Sequence, residues 1–171
     1  MKAEDLRALQ APIKQRYRED PNTAVIRLTA EGRLDGDGIT CSVDTGRALV
    51  EAGLHPMAGG DGSFACSGDM LLEALVACAG VTLRAVATAM EIDLRGGTVH
   101  AEGDIDARGT LGVEKEAPVG FRDIRLRFDL DTDAPAEQLD TLLKLTERYC
   151  VVLQSMRNAP AIDASYKVAT N

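Results

Sequence analysis

The sequence predicts a protein of the α+β class, because one long apolar helix stands among several segments with the alternation of antiparallel strands. Residues 67–90 are almost wholly apolar, and after the first turn only Glu73 and Arg84 carry charge, as expected for a central core helix. Elsewhere apolar and polar side chains alternate, as they do in strands with one buried face. Strands and helices do not alternate regularly, which argues against a parallel βαβ sheet.

The central helix has a recognisable start and two different faces. Ser67 is the expected N-cap, and Asp69 adds negative charge to the first turn, where the helix dipole favours it. The mainly apolar face comprises Leu71, Ala74, Leu75, Cys78, Val81, Thr82 and Ala85. A second face has small residues that would let another helix approach closely. It comprises Glu73, Ala77, Gly80 and Arg84, and its charges make the helix a poor membrane span.

The remaining elements are predicted from alternation, turn residues and helical spacing. The expected strands are 23–31, 39–43, 91–95, 98–106, 121–130 and 162–168. An Asp-Gly-Asp-Gly turn at 35–38 would join the first two strands as a hairpin. Residues 46–53 are expected to form a strand or a helical turn. Leucines at helical spacing predict a second helix towards Tyr149, capped by Asp133, and a short further helix over 151–157.

The length of the chain indicates one domain, and its charge argues against some classes of binding partner. The 171 residues (18.2 kDa) fit a single domain, 1–171, in which 1–22 form an N-terminal arm or short helix, broken or kinked near Pro12. A formal net charge of -8 and a pI near 4.8 argue against binding to nucleic acid or to anionic membranes. The chain opens without a basic and apolar leader, so we expect a cytoplasmic protein.

The cysteines form no metal-binding pattern. They are widely spaced, without a C-x-x-C pair, and only two histidines accompany them, so we expect no metal ion and no cofactor. The four are Cys41, Cys66, Cys78 and Cys150. In a reducing cytosol such thiols are usually packed rather than disulfide-bonded, and Cys78 on its apolar helix face has the setting of a core residue. A chemical role for any of them depends on its neighbours.

Three segments together resemble a known family. DMLLEALVACAG at 69–80 is a helix start that leads into Ala-Cys, and ERYC at 147–150 ends a later helix. The glycine-rich stretch GGDGSFACSGD at 59–69 precedes the first of these helices. The combination resembles the osmotically inducible protein C and organic hydroperoxide resistance (OsmC/Ohr) family, and the resemblance covers roughly residues 23–168.

The resemblance implies a peroxidase that uses neither metal nor flavin. Cys78 would be the peroxidatic nucleophile, and Cys150 would be the resolving thiol that forms a disulfide with it. Such chemistry needs two thiols, because a thiolate is the nucleophile and a second thiol traps the sulfenic acid before further oxidation. The family implies hydroperoxides, mainly organic ones, as substrates, and a dithiol of the lipoyl type as the reductant.

The resemblance also implies an arginine, fixed by a carboxylate, beside the reactive cysteine. Arg33 in Glu-Gly-Arg is the best match, and Arg47 in Thr-Gly-Arg is the alternative; each is equally interpretable as a solvated arginine at a strand end. Asp69 stands where relatives carry a glutamate at the helix start. Its other interpretation is a charge that serves the helix dipole alone.

The family fold implies an intertwined homodimer, in which curved antiparallel sheets wrap the long central helices and each active site uses both subunits. The composition of residues 67–90 agrees with this expectation, because the helix is apolar on more faces than one small sheet covers. A second hypothesis is a non-catalytic OsmC-like domain that binds a small apolar ligand or has a structural role, with its thiols merely buried.

Overall fold

A computed structural model describes residues 2–20, 24–25, 31–33, 40–44 and 49–168, with the backbone alone described at 17, 31–33 and 40–44. The helices are α1 Ala3–Glu19, α2 Ser67–Ala89, α3 Ala107–Thr110, α4 Ala136–Tyr149 and α5 Val151–Arg157. The strands are β1 Glu31–Arg33, β2 Thr40–Asp44, β3 Leu49–Gly53, β4 Ala65–Cys66, β5 Gly96–Ile105 and β6 Phe121–Asp131. A single 3₁₀ turn, Pro56–Ala58, lies in the loop before β4. The α+β class predicted from the sequence is confirmed.

The strands form two separate sheets. In the first, of order β1-β2-β3-β4, the pairs β1/β2 and β2/β3 are antiparallel, whereas the two-residue β4 runs parallel to β3. The second sheet is the long antiparallel pair β5 and β6, which begins at Gly96↔Asp131. Gly103 leaves space for the Phe121 ring, with which a Cβ at this position would clash. The apolar side of this pair packs on the buried core, as the predicted alternation of 98–106 and 121–130 indicates.

Helix α2 is the central element of the described chain, and it packs on β5, α4 and α5. Its buried residues are Leu75, Ala79, Leu83 and Ala87, which recur every fourth position. This stripe differs from the predicted apolar face, on which Leu71, Ala74, Val81 and Ala85 are exposed. The two sets share Leu75, and both are apolar, so that only the neighbouring elements decide which residues are buried.

By length and composition, α2 is the one helix among the described residues that is apolar enough to cross a membrane. Core helices of soluble proteins satisfy the same criterion, and α2 packs against other elements on its buried stripe. The start of the helix differs from the expectation for Ser67, which is the first helical residue rather than the N-cap. Cys66 takes the N-cap position without a side-chain hydrogen bond, and Asp69 lies in the first turn as predicted.

Helix α1 agrees with the short-helix alternative for residues 1–22, and its 17 residues continue through Pro12 without a break. The missing proline N–H removes a single helical hydrogen bond, which the rest of the helix tolerates. A hydrogen bond of 2.8 Å between Arg7 and Glu91 ties α1 to the end of α2.

Further predictions in the N-terminal half have mixed outcomes. Residues 46–53 contain the strand β3, and β2 matches the expected strand 39–43. The hairpin turn at 35–38 lies outside the described residues. Of the expected strand 23–31, only residues 24, 25 and 31 are described; Glu31 begins β1, and the other two belong to no strand.

Predictions for the C-terminal half were right for both helices and wrong for two strands and one cap. Residues 91–95 form a turn, in which Glu91 has a φ of 59° and the Leu94 carbonyl accepts a bond from Arg84. Residues 162–168 form no regular structure, because no described strand lies beside them, and Tyr166 is 90% exposed. Pro135, not Asp133, is the N-cap of α4, since the Asp133 carboxylate accepts hydrogen bonds from Arg95.

Candidate active site

Two cysteines from distant parts of the chain meet in the core between α2 and the junction of α4 and α5. Cys78 lies midway along α2 and is half-buried, whereas Cys150 is 0% exposed. Their sulfurs are hydrogen-bonded neighbours, although 150 - 78 = 72 positions separate them in the sequence. Both belong to one apolar cluster with Leu75, Ala79 and Leu153. The fold therefore brings together the two thiols to which the resemblance gave a role.

Backbone hydrogen bonds fix the position of Cys150, the one residue that joins α4 to α5. Its N–H donates to the Thr146 carbonyl at 2.9 Å, and its carbonyl accepts from the Gln154 N–H at 2.9 Å. The Gln154 side chain donates to the Glu147 carbonyl at 2.7 Å, which holds the two helices together across the junction. Consequently the backbone of Cys150 is held at the junction of the two helices.

The environment of Cys78 favours the thiolate. Burial raises its pKa, but hydrogen bonds outweigh burial, so that the pKa lies below the ordinary value of 9.0. The backbone N–H of Val152 gives the largest stabilisation, followed by the Cys150 thiol, the N–H of Val151 and the Thr82 hydroxyl. All of these donors are neutral. Among the groups that the structure describes, the donors that lower the pKa of Cys78 thus include no cation.

Cys150 has the opposite tendency. Burial raises its pKa, and the neighbouring Cys78 raises it further by hydrogen bonding and by charge, although the N–H groups of Leu153 and Val152 act against this. When Cys78 is ionised, Cys150 therefore stays protonated and donates its S–H to the thiolate. The pair thus combines one thiol with a lowered pKa and one neighbouring thiol with a raised pKa.

The structure describes the surroundings of Asp69 and Arg33 less fully than those of the two cysteines. Asp69 is exposed in the first turn of α2, nine residues before Cys78, a rise of about 13.5 Å at 1.5 Å per residue. The backbone of Arg33 pairs with Ser42 in the first sheet, and its side chain is outside the described part of the structure. Arg47 lies outside the described residues altogether. The carboxylate–arginine arrangement beside Cys78 therefore stays a prediction.

Three groups that stabilise the Cys78 thiolate were not predicted from the sequence. Thr82 follows Cys78 by one helical turn, so its i,i+4 spacing was an available signal. The N–H groups of Val151 and Val152 belong to the first turn of the short helix predicted over 151–157, where backbone donors lack helical partners. What the sequence lacks is the information that this turn lies against α2.

Metal-ligating side chains do not gather at this centre. No group of three or more His, Cys, Asp or Glu side chains suited to a metal ion occurs among the residues that the structure describes. Glu147, the carboxylate nearest to Cys150 in the sequence, pairs with Arg157 at 3.0 Å. The donors around Cys78 suit a thiolate and its oxidation chemistry.

The fold and this centre define a small α+β protein with a paired-thiol site where its central helix meets the α4–α5 junction. Comparison with protein-family models matches residues 60–165 to the OsmC-like proteins, and the chain belongs to this family. The recognition from the three sequence segments is thereby confirmed. No curated protein sequence matches the chain.

Solved structures share the fold at low sequence identity. An OsmC-like protein from Mycoplasma pneumoniae is 15% identical, with 78% of this chain and 89% of that chain covered and a TM-score of 0.66. An organic hydroperoxide resistance protein OsmC from Legionella pneumophila is 16% identical, with coverages of 78% and 92% and a TM-score of 0.61. An organic hydroperoxide resistance protein from Elizabethkingia anophelis is 18% identical, with coverages of 78% and 91% and a TM-score of 0.61. The OsmC-like fold is thus established for this chain.

Thr82→Val is expected to raise the pKa of Cys78, because the variant loses a hydroxyl donor to the thiolate and keeps the shape of the side chain. Thiol reactivity increases as pH rises through this pKa, so the midpoint of the profile should move to higher pH while the plateau is retained. At pH values well below the midpoint, a pKa that is higher by about one means a roughly tenfold smaller thiolate fraction. The rate of alkylation of Cys78 against pH measures the effect.

Thr82→Ser is the matched control, since it keeps the hydroxyl and should leave the midpoint close to that of the parent. The other helix threonines Thr88, Thr141 and Thr146 donate to the carbonyl four residues earlier, so a purely structural role for Thr82 is the competing interpretation. An unchanged midpoint in Thr82→Val would establish that interpretation.

Proposed function

We propose that the protein is a cysteine-based peroxidase that reduces hydroperoxides through a Cys78–Cys150 disulfide. The observation that carries the proposal is the contact between a thiol with a lowered pKa and a buried neighbour whose pKa is raised. Membership of the OsmC-like family supports it. Hydroperoxide resistance, the role named for two of the similar structures, is consistent with this chemistry.

The first step is attack by the Cys78 thiolate on the peroxide. The sulfur bonds to one oxygen as the O–O bond breaks, which gives Cys78 sulfenic acid and, after protonation of the leaving oxygen, an alcohol. Oxidation removes the negative charge that keeps Cys150 protonated, whereas the N–H donors of Leu153 and Val152 remain. Cys150 then loses its proton and attacks the Cys78 sulfur, so that water leaves and the disulfide forms. This order activates the second thiol only after the first has reacted.

The surroundings of the pair favour an organic hydroperoxide. The side chains that pack around the pair are apolar and include Leu75, Ala79 and Leu153. Apolar substituents of a peroxide gain about 25 cal/mol for each Å² removed from water on such a surface. A cytoplasmic dithiol, such as a lipoyl group, would return the disulfide to two thiols.

The test of this function is a thiol count on the full chain before and after one equivalent of cumene hydroperoxide. Loss of two thiols per chain within seconds, with peptide mapping to Cys78 and Cys150, is the expected result. Cys66, which is half-buried at the N-cap of α2, should keep its thiol in the same sample. Four unreactive thiols would contradict the proposal.

Retention of all thiols would favour the second candidate function, a domain that binds a small apolar ligand. A cavity of about 780 Å³ between β6 and the helices α4 and α5 supports this alternative. Its apolar lining includes Leu75, Phe121, Ile124, Leu139, Leu143 and Met156. Without loss of thiols, saturable binding of an apolar fluorescent dye to the full chain would then be the supporting measurement.

Arg33 is proposed to orient the peroxide and to stabilise the thiolate by direct contact, with Asp69 fixing the guanidinium. Arg33→Met should reduce the rate of peroxide reduction by orders of magnitude, since a direct ion pair at a partly buried sulfur is weakly screened. Asp69→Asn should act in the same direction and less strongly, because it releases the arginine without removing it. Stopped-flow measurement of thiol oxidation compares these variants.

Arg47→Met is the matched control for Arg33, and a near-parental rate is expected for it. If Arg47→Met has a much lower rate of peroxide reduction and Arg33→Met has a normal rate, Arg47 and not Arg33 is the activating arginine. Two near-parental rates would remove both arginines from the reaction and leave the neutral donors around Cys78 as its activating groups.

We propose further that the protein is a homodimer. Helix α2 exposes an apolar surface in the single chain, where Val81 is 72% and Leu71 43% exposed, and such a surface on a core helix is typical of an interface. Sedimentation velocity should give the mass of two chains down to submicromolar concentration. A folded monomer at that concentration would contradict an obligate interface.

A further inference from the structure

We propose that the reducing dithiol attacks the Cys78 sulfur of the oxidised protein, and that Cys150 is the leaving thiolate. The inference rests on the proposed function, which supplies the Cys78–Cys150 disulfide and a dithiol as its reductant. It assigns different roles to two sulfurs that are chemically equivalent in a free disulfide.

Access to the two sulfurs is unequal. Cys150 is 0% exposed, and its buried neighbours Leu75, Ala79 and Leu153 belong to the same apolar cluster. In the single chain, by contrast, part of the Cys78 residue is in contact with solvent. A thiolate that attacks a disulfide must touch the sulfur with which it bonds, from the side opposite the departing sulfur. An external reductant therefore reaches Cys78 without opening the core, whereas attack on Cys150 requires the core to open.

The backbone prepares Cys150 for departure. The N–H groups of Leu153 and Val152 donate to its sulfur, so negative charge on this buried atom has hydrogen-bond donors in place. Burial would otherwise make a thiolate at this position costly. Donors that are fixed by the first turn of α5 need no rearrangement when the S–S bond breaks.

The exchange balances in two steps. One thiolate of the dithiol bonds to the Cys78 sulfur, the protein S–S bond breaks, and Cys150 leaves as a thiolate that takes up a proton. The second thiolate of the reductant then attacks the reductant's own sulfur in the mixed disulfide, and Cys78 leaves. The dithiol is thereby oxidised to a disulfide by loss of two electrons, and the protein disulfide is reduced to two thiols.

The second step suits the environment of Cys78. Thiols with a low pKa leave faster in disulfide exchange, and hydrogen bonds from Val152, Val151 and Thr82 lower the pKa of Cys78. Intrinsic leaving-group strength alone would favour attack on Cys150 in the first step. Burial opposes that preference. The Cys150 sulfur has no exposed surface, so an external thiolate cannot attack it even though Cys78 would be the better leaving group.

The experiment traps the intermediate with a monothiol, which cannot perform the second step. The full chain carries Cys41→Ser and Cys66→Ser so that only the reacting pair remains, and serine at position 66 is a favourable N-cap for α2. The disulfide is formed with diamide, exposed briefly to glutathione, and quenched with acid. The protein is then unfolded, freed thiols are blocked with N-ethylmaleimide, and peptides are identified by mass spectrometry.

The expected result is glutathione on Cys78 and maleimide on Cys150, with at least about a tenfold excess over the reverse pattern, because only an exposed disulfide sulfur reacts readily. The same reaction in guanidinium chloride is the control, and there the preference should disappear. Glutathione mainly on Cys150, an equal distribution in the folded protein, or failure of diamide to join the pair would overturn the inference.

The use of diamide separates this inference from the peroxidase proposal. If glutathione attacks the diamide-formed disulfide at Cys78, but cumene hydroperoxide does not form that disulfide, the inference holds and the peroxidase function is excluded. If the peroxide forms the disulfide rapidly, but glutathione attacks it at Cys150, the peroxidase function is supported and the inference is overturned.

Discussion

Cys78→Ser is expected to abolish peroxide reduction, with loss of several orders of magnitude in rate and no residual turnover above background. A serine hydroxyl at this position stays protonated at neutral pH, so the hydrogen bonds from Val152 and Thr82 have no anion to stabilise. Consumption of cumene hydroperoxide in the presence of dihydrolipoamide measures the loss. Circular dichroism should be unchanged, because position 78 is half-buried and lies in a continuous helix.

Cys66→Ser is the matched control for this variant. Both residues are half-buried cysteines associated with α2, but Cys66 lies at the N-cap, where serine favours the helix start. Its peroxidase rate should equal that of the parent. Full activity in Cys78→Ser, or loss of activity in Cys66→Ser, would show that Cys78 is not the reactive thiol.

Cys150→Ser is expected to permit one fast oxidation and no sustained turnover. Cys78 still attacks the first peroxide, but no second thiol is present to trap the sulfenic acid, so a further equivalent oxidises it to sulfinic acid. Intact-mass measurement should detect the addition of two oxygen atoms at Cys78, a product that the parent avoids. Dihydrolipoamide should not restore activity after this oxidation, because sulfinic acid is not reduced by thiols.

The burial of Cys150 requires a control for folding in this experiment. Serine in the apolar cluster introduces a hydroxyl, and Cys150→Ala introduces none, so the two variants separate polarity from the loss of sulfur. Both should become over-oxidised after comparable first reactions. Sustained multiple turnover in either variant would remove Cys150 from the mechanism.

Much of the architecture could be predicted from the sequence, because local patterns carry it. The apolar run at 67–90, the alternation at 121–130 and the spaced leucines before Tyr149 correspond to α2, β6 and α4 in the structure. The predictions failed where a residue that is distant in the sequence makes, or would have to make, the deciding contact. Asp133 has the chemistry of a helix cap, but Arg95, 38 residues away in the chain, binds its carboxylate instead. Residues 162–168 alternate like a strand and yet have no described strand beside them.

The sequence by itself determined the long helices and strands, the family resemblance and the two cysteine segments of the candidate site, because these are properties of neighbouring residues. Only the tertiary structure decided which stripe of α2 is buried and which groups surround the Cys78 sulfur. Either apolar stripe of that helix satisfies the hydrophobic effect, so the choice depends on where β5 and α4 pack. The donors that favour the Cys78 thiolate are mainly backbone N–H groups at Val151 and Val152. Every non-proline residue has such a group, and only the folded chain determines which of them point at a sulfur.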